Sequence, residues 1–167
     1  LLGNHIWQAG AAKSIDKARL DITHYEQLTE EQLKQIEEEA NKVIAAGVPV
    51  NKSFVPRTEA EQKYGFSIYQ GGVVPGKLLR IVDVKGLDVE ACGGTHLNKT
   101  SEVGRIKLLR STKIQDGIVR LEFVAGKAEE QQTESARQLL QEAAKLLNCE
   151  ISQIPARAQE LFEKWKQ

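Results

Sequence analysis

The 167-residue sequence has no methionine, only two cysteines and three histidines, and few aromatic residues, which make up 5% of the chain. Two cysteines, Cys92 and Cys149, are too few for a disulfide scaffold, so we expect a reducing, cytoplasmic setting. No apolar run approaches the ~18–20 residues that a membrane span needs, so we expect no contact with a membrane. Because the chain begins at Leu1 and lacks methionine, we expect a segment of a longer protein.

Excess charge of either sign is also absent, because 23 basic and 23 acidic side chains give a formal net charge of zero. This balance argues against a broad basic surface for nucleic acid but does not exclude a local one. Hydrophobic residues make up 41% of the chain and charged residues 28%. This composition excludes an intrinsically disordered chain and is sufficient for a packed core.

Helix and strand signals alternate along the first three quarters of the chain. Thr29 and Gln32 form a capping box at the start of an amphipathic helix, which Gly47 ends. A second, short helix is predicted over Pro56–Tyr64, and 66–76 are expected to be a loop. Alternating or apolar runs predict the remaining strands, which are His5–Gln8 (with a small-residue turn at Ala9–Ala12), Arg19–Thr23, Val48–Val55, Leu78–Val84, Val89–Cys92, Val103–Ser111 and Ile118–Val124.

The order of these elements predicts an α+β fold with a mostly antiparallel sheet and segregated helices. Asp116-Gly117 lies between two alternating runs and predicts a hairpin turn. From 127 onward the sequence is charged and helical, with two apolar stripes separated by a break at Asn148–Ser152. We therefore divide the chain into a body, 1–126, and a C-terminal helical hairpin, 127–167.

The residues best suited to chemistry are clustered in Cys92-Gly93-Gly94-Thr95-His96. A thiolate and an imidazole are ligands that zinc prefers, and the two glycines allow them to converge on one ion. The glycines would also let backbone N–H groups stabilise an oxyanion. On spacing alone, a buried cysteine beside a solvated histidine is the more common arrangement. Two ligands do not complete a tetrahedral site, and His5 and His24 are the only other histidines available.

The string Cys92-Gly93-Gly94-Thr95-His96 resembles the zinc motif of the editing domain of alanyl-tRNA synthetases. Similarity extends, in the family's order, to three further segments, which are Leu2–Gly10, Arg19–His24 and Gly117–Glu122. The C-terminal helices resemble those that follow the editing domain in the synthetase. The resemblance therefore implies the editing fold of the alanyl- and threonyl-tRNA synthetases.

The resemblance implies hydrolysis of the ester that links serine or glycine to alanine tRNA, in a parent enzyme that is an ATP-dependent ligase. It implies Zn²⁺ held by Cys92 and His96, with two further histidines upstream of Leu1, so the metal site is incomplete in these residues. The implied partner is the acceptor end of alanine tRNA. A homodimer through the C-terminal region of the parent is also compatible with the resemblance.

Individual site residues follow from the family positions and from their chemistry. Gln8 is the candidate partner of the serine hydroxyl, with Thr95 and Asp21 as further candidates for catalysis. Gly93, Gly94 and Lys99 are candidates for substrate binding. Each of these also has a plainer interpretation, as a surface strand residue, a turn cap or a solvated charge. Scattered basic residues are candidates for RNA contact, namely Lys52, Arg57, Lys63, Lys77, Lys99, Arg105, Lys107 and Arg110.

Three other functions remain open on the sequence. The first is a free-standing trans-editing protein, although such proteins usually lack the helical tail. The second is the editing domain of a threonyl-tRNA synthetase, against which the Cys-Gly-Gly-Thr-His string argues. The third is a non-catalytic module for RNA binding or dimerisation, in which Cys92 and His96 bind no metal.

Overall fold

A computed structural model describes residues 1–70 and 72–166, and the chain divides into two compact units, Leu1–Ala128 and Glu129–Gln167. The first unit contains two antiparallel sheets, two α-helices and short 3₁₀ turns. Its main elements are β1 (Gln8–Lys13), β2 (Ala18–Thr23), α1 (Glu30–Ala46), β3 (Val50–Pro56), α2 (Arg57–Tyr64), β4 (Leu78–Val84), β5 (Asp88–Ala91), β6 (Ile106–Gln115) and β7 (Ile118–Ala125).

The larger sheet has four strands in the order β1-β2-β7-β6, and α1 supplies apolar side chains to its core. Thr29 Oγ1 accepts from the Gln32 backbone N–H, and the Gln32 side chain accepts from the Thr29 N–H. This confirms the predicted capping box, which satisfies two backbone donors at the helix start. Leu33 and Ile36 of α1 pack against a cluster centred on Ile22 and the fully buried Val119.

The smaller sheet has three strands in the order β3-β4-β5 and carries a separate core. Leu79 and Ile81 of β4 pack with Ala60 of α2 and with Ile68 and Tyr69 of the following turn. All five side chains are almost completely buried. The sequence predicts a mostly antiparallel α+β fold, which is confirmed, but it does not indicate that the strands form two sheets.

Several predicted elements agree closely with the structure. Strand β4 has the predicted bounds Leu78–Val84, and α2 differs from the prediction by one residue. Gly47 ends α1 in the left-handed conformation, with φ of 62° and ψ of 38°. Gly117, at φ 74°, occupies the turn between β6 and β7, as the Asp-Gly pair predicts.

One local prediction in the first unit is wrong, and a second is correct only in part. The small residues predicted as a turn, Ala9–Ala12, form most of β1, an edge strand paired with β2. The strand predicted over His5–Gln8 overlaps β1 only at Gln8. The stretch predicted as a loop, 66–76, contains a 3₁₀ turn at Phe66–Ile68 whose Ile68 is fully buried. Residue 71 of that stretch lies outside the described residues. Small side chains and a short turn give weak periodic signals, which explains both errors.

The second unit is helical, as predicted. Helix α3 (Lys127–Leu147) is followed by a 3₁₀ turn at Ile151–Gln153 and by α4 (Ile154–Lys166), which gives a hairpin-like succession of two helices. Asn148, the residue after α3, has a positive φ of 48°, and its backbone N–H donates to the carbonyl of Lys145. Among the helices described, none is both long enough and apolar enough to cross a membrane.

Candidate functional site

The predicted motif, residues 92–96, forms a loop directly after β5, where the chain leaves the smaller sheet. Arg80 of the neighbouring strand β4 organises this loop. Its Nη1 donates to the carbonyl oxygens of Cys92 and of Gly94, each at 2.7 Å, and its own carbonyl accepts from the Cys92 N–H at 3.0 Å. The charge-assisted bonds from Nη1 fix two peptide groups of the loop to the central strand of the smaller sheet.

The side chains of Cys92 and His96 face the same small space. A Cβ placed on Gly94 would lie 3.5 Å from Cys92 Sγ and 3.7 Å from His96 Nε2. His96 Nε2 is buried and has no hydrogen-bond partner, the one such side-chain atom within residues 1–70 and 72–166. Because a buried polar atom is rarely left unpaired, this nitrogen is available for a ligand.

The electrostatic surroundings of His96 favour its neutral form. Burial lowers the pKa of His96 most, and the positive charges of Arg80, Lys13 and Lys52 lower this pKa further. These three cations come from three different strands, β4, β1 and β3. A neutral imidazole is the form that binds a metal, so this environment suits the ligand role that the sequence predicts.

The two other histidines do not join this pair. His5 Nε2 lies 2.8 Å from His24 Nδ1, and the two rings stack with their centroids 5.0 Å apart. Over the described part of the chain, no group of three or more His, Cys, Asp or Glu residues is placed to hold a metal. Cys92 and His96 can therefore supply two ligands of a metal site, and His5 and His24 do not complete it.

The three residues proposed for catalysis differ in their surroundings. The Gln8 backbone N–H donates to Gln70 Oε1 at 2.8 Å. The buried Asp21 carboxylate accepts from Arg120 through both oxygens, from Nε at 2.8 Å and from Nη2 at 3.0 Å. Thr95 is exposed in the loop. Asp21 thus has a structural partner that the sequence does not reveal.

The residues proposed for substrate binding lie in or next to the loop. Gly93 and Gly94 are both exposed, and Gly93 has open space where a side chain would be. Lys99 is exposed, forms an isolated β-bridge with Pro49 and precedes the 3₁₀ turn Thr100–Val103. The loop therefore offers backbone groups and an open surface, with its fixed carbonyls turned to Arg80.

Several basic residues predicted to contact RNA have partners within the protein. Arg57 donates to the carbonyl of Gly76 and to the Tyr69 hydroxyl, so it holds the chain around α2. Lys107 lies 3.7 Å from a carboxylate oxygen of Glu37, and Arg110 pairs with Glu122. Lys52 donates to Asn98 Oδ1 at 2.6 Å, near the end of the loop.

Two basic residues at the site are missed by the sequence analysis. Arg80 lies in an alternating strand and Lys13 at the end of a stretch interpreted as a turn, so neither stands out in the pattern. A guanidinium that binds carbonyls 12 and 14 residues further along the chain leaves no local signature. Their roles become visible only when the strands are placed in space.

Residues 79–122 match the family model described as the threonyl and alanyl tRNA synthetase second additional domain. This range contains β4 with Arg80, the Cys92–His96 loop and most of the β6–β7 hairpin. This part of the first unit therefore matches the additional domain of the tRNA synthetases, and the fold of the unit is consistent with that editing-related class.

Comparison over the whole chain is more specific. The chain is 48% identical over all its 167 residues to the alanine–tRNA ligase of Methanococcus maripaludis and covers 19% of that protein. It is 45% identical over its full length to the ligase of Methanopyrus kandleri, and 49% identical over 99% of its length to that of Methanothrix thermoacetophila, covering 18% of each. The chain belongs to the alanyl-tRNA synthetase family, as a segment spanning about a fifth of these relatives.

Proposed function

We propose that this chain is the editing segment of an alanyl-tRNA synthetase and hydrolyses the ester of alanine tRNA charged with serine or glycine. The observation that carries the proposal is that Cys92 Sγ and His96 Nε2 both lie next to Gly94. His96 Nε2 is buried there and has no hydrogen-bond partner within the described residues. This pair lies within the range that matches the additional domain of the synthetases. The reaction belongs in the cytoplasm, where tRNA is charged.

A separate hydrolytic site compensates for the limited selectivity of the site that attaches the amino acid to tRNA. A pocket for alanine gains only about 1–3 kcal/mol from one methyl group, so it rejects glycine weakly. An apolar pocket likewise discriminates against an added hydroxyl by roughly 100-fold, so some serine is transferred. Hydrolysis of the wrong ester at a second site supplies the missing selectivity.

The donor set of the loop fits zinc. Cys92 and His96 would hold the ion, and the remaining protein ligands would come from upstream sequence. When bound, zinc would act as a Lewis acid and would orient the aminoacyl end. The lowered pKa of His96 keeps its imidazole in the neutral, metal-binding form without a proton having to leave at neutral pH.

The chain's own groups have distinct parts in the hydrolysis. Water attacks the ester carbonyl carbon, and the carbonyl oxygen becomes an oxyanion. The backbone N–H groups of the exposed residues Gly93 and Gly94 would donate to this oxyanion. Arg80 binds the Cys92 carbonyl and so holds the peptide group that carries the Gly93 N–H. The bond between the ester carbon and the ribose oxygen then breaks. The ribose oxygen takes the proton that the attacking water has lost and becomes a hydroxyl, and the amino acid leaves with a free carboxyl group.

Selection of serine over alanine requires a polar partner for the serine hydroxyl. Gln8 is the proposed partner, because its side-chain amide makes no hydrogen bond within the described residues, whereas its backbone N–H donates to Gln70. A polar group that is buried by the substrate and left unpaired by alanine penalises the correct product's ester. Correctly charged alanine tRNA would thereby escape hydrolysis.

The test is hydrolysis of serine-charged alanine tRNA by this chain and by a form extended upstream, with zinc content measured on the same samples. We expect the extended form to bind zinc and release serine, and Cys92→Ala to lose both. Cys149→Ala is the matched control, because Cys149 lies beyond α3 in the second unit and should leave both unchanged.

Two results would overturn the proposal. If the extended form binds zinc and leaves the ester intact, the segment is a metal-stabilised module without hydrolytic activity. If Cys92→Ala hydrolyses the ester as fast as Cys149→Ala, the Cys92–His96 pair is not the reactive centre.

A further inference from the structure

The face of the larger sheet opposite α1 has an unusual composition. The apolar residues Leu20, Ile22, Val119 and Leu121 belong to the face covered by α1. The register places the intervening residues on the other face in two rows, Gly10–Asp21–Arg120 and Ala12–Arg19–Glu122–Arg110. Edge strand β1 thus contributes only small residues to these rows, whereas β2, β7 and the opposite edge strand β6 contribute charged ones.

A cleft of about 330 Å³ opens at the β1–β2 hairpin, where Ala12, Arg19 and Glu122 of this face meet residues of the hairpin end. We call it the basic cleft, because four cations and one carboxylate line it together with small residues, namely Lys13, Lys17, Arg19, Arg120 and Glu122, with Ala12, Ser14 and Ala18. Lys17 and Arg110 both pair with Glu122, and Arg19 and Arg120 both approach Asp21. Four cations therefore share two carboxylates, and Lys13 is a fifth cation without such a partner in the described part of the chain. The exposed Asp16 of the hairpin turn still leaves an excess of positive charge.

Lys13 connects the basic cleft with the candidate site. It lines the cleft, its side chain is exposed, and it has no carboxylate within ion-pair distance over residues 1–70 and 72–166. Its charge is also one of those that lower the pKa of His96. Among the described residues, Lys13 is therefore the one cation lining the cleft whose charge is also among those that act on His96.

We propose that the basic cleft binds backbone phosphates of the tRNA strand whose 3′ end reaches the Cys92–His96 loop. The inference rests on the proposed function and adds to it the surface along which the acceptor strand runs. Uncompensated lysine and arginine charges attract phosphates by releasing condensed counterions. Gly10 and Ala12 have little or no side chain, so β1 does not obstruct this face of the sheet. A sugar–phosphate chain could therefore approach the guanidinium groups of Arg19 and Arg120 closely.

The experiment measures the affinity of the chain for uncharged alanine tRNA by fluorescence anisotropy over a range of salt concentrations. Lys13→Ala, alone and combined with Lys17→Ala, is compared with Lys34→Ala on the exposed surface of α1. We expect roughly three- to tenfold weaker binding for the double variant at low salt, and a salt dependence whose slope falls by about 1 for each phosphate that a removed lysine would have neutralised. Lys13→Arg should retain the wild-type slope.

An unchanged slope in the double variant, or an equally large weakening in Lys34→Ala, would overturn the inference. Because the tRNA is uncharged, the result does not depend on hydrolysis. If the slope of the salt dependence falls as expected but serine-charged tRNA stays intact, the basic cleft binds tRNA and the proposal of hydrolysis is wrong. If the ester is cleaved in a Cys92-dependent way and the slope does not change, the proposal of hydrolysis is supported and the basic cleft does not bind the tRNA phosphates.

Discussion

At the scale of single residues, the most informative group is His96. Its side chain is half-buried, its buried Nε2 has no hydrogen-bond partner among the described residues, and the charged groups that shift its pKa are three cations and no carboxylate. Both burial and positive neighbours disfavour the imidazolium ion. The neutral imidazole of His96 can therefore donate an electron pair to a metal ion.

This environment predicts an acid-shifted titration of His96 in metal-free protein. The midpoint of its imidazole proton signals in an NMR titration should lie below the ordinary value of about 6.5. Lys13→Gln and Lys52→Gln should each raise the midpoint partway, since burial, the largest cause, remains. Lys34→Gln, on the exposed surface of α1, is the control that should not move it.

The sign of the linked change in stability follows from the same shift. Between the lowered folded pKa and the ordinary value, the unfolded chain binds more protons at this position than the folded protein. The contribution of His96 to stability should therefore fall as the pH is lowered through the ordinary histidine range and level off below the folded pKa. A midpoint at or above the ordinary value would contradict this account.

The sequence indicates part of this site and misses the rest for a definable reason. Cys92 and His96 are close in the chain, so their type and spacing are visible in the sequence. Arg80 binds the loop through carbonyl oxygens, and Lys13 acts across a sheet boundary, so neither contact depends on a local pattern. Asp21 resembles a site residue in sequence, yet its partner Arg120 is 99 residues away.

At the scale of elements, helix α1 and strand β4 are predictable because their signals are local. A capping box, a 3.6-residue apolar period and a glycine stop define α1 without reference to the rest of the chain. Strand β1 is different, because its small residues carry no period and its pairing with β2 includes a register shift between Gln8 and Gly10. Tertiary pairing, rather than propensity, makes this segment a strand.

The junction between β7 and the turn before β6 depends on two glycines in close contact. A Cβ on Gly104, which has a φ of 72°, would lie 2.8 Å from the Gly126 Cα. Gly104→Ala should therefore lower the free energy of unfolding by about 2–4 kcal/mol, through backbone strain and overpacking. The measurement is urea denaturation followed by circular dichroism.

Gly93→Ala is the matched comparison for Gly104→Ala. No atom lies within 4 Å of a Cβ at Gly93, and its φ is outside the left-handed region. We expect its free energy of unfolding to change by less than about 1 kcal/mol. Equal decreases in the two variants would show that the close approach of Gly104 and Gly126 is not what makes glycine necessary.

At the scale of the whole molecule, a net charge of zero conceals an uneven distribution of charge. The sequence predicts weak affinity for RNA from the balance of 23 basic and 23 acidic residues. The folded chain nevertheless concentrates cations on one face of the larger sheet, because alternate residues of β2, β6 and β7 share that face. Sequence order separates these residues by about a hundred positions, so only the strand order β1-β2-β7-β6 brings them together.

The division into two units predicts that a chain ending at Ala128 folds by itself. All seven strands and both hydrophobic clusters belong to the unit Leu1–Ala128. In the other unit, large apolar side chains such as Leu139, Leu146 and Trp165 are mainly exposed. Since burial of apolar surface is the dominant favourable term in folding, residues 1–128 should retain the far-UV signal of the sheets and unfold in one cooperative transition. A non-cooperative, gradual loss of signal on heating residues 1–128 would show that the first unit needs residues 129–167 to fold.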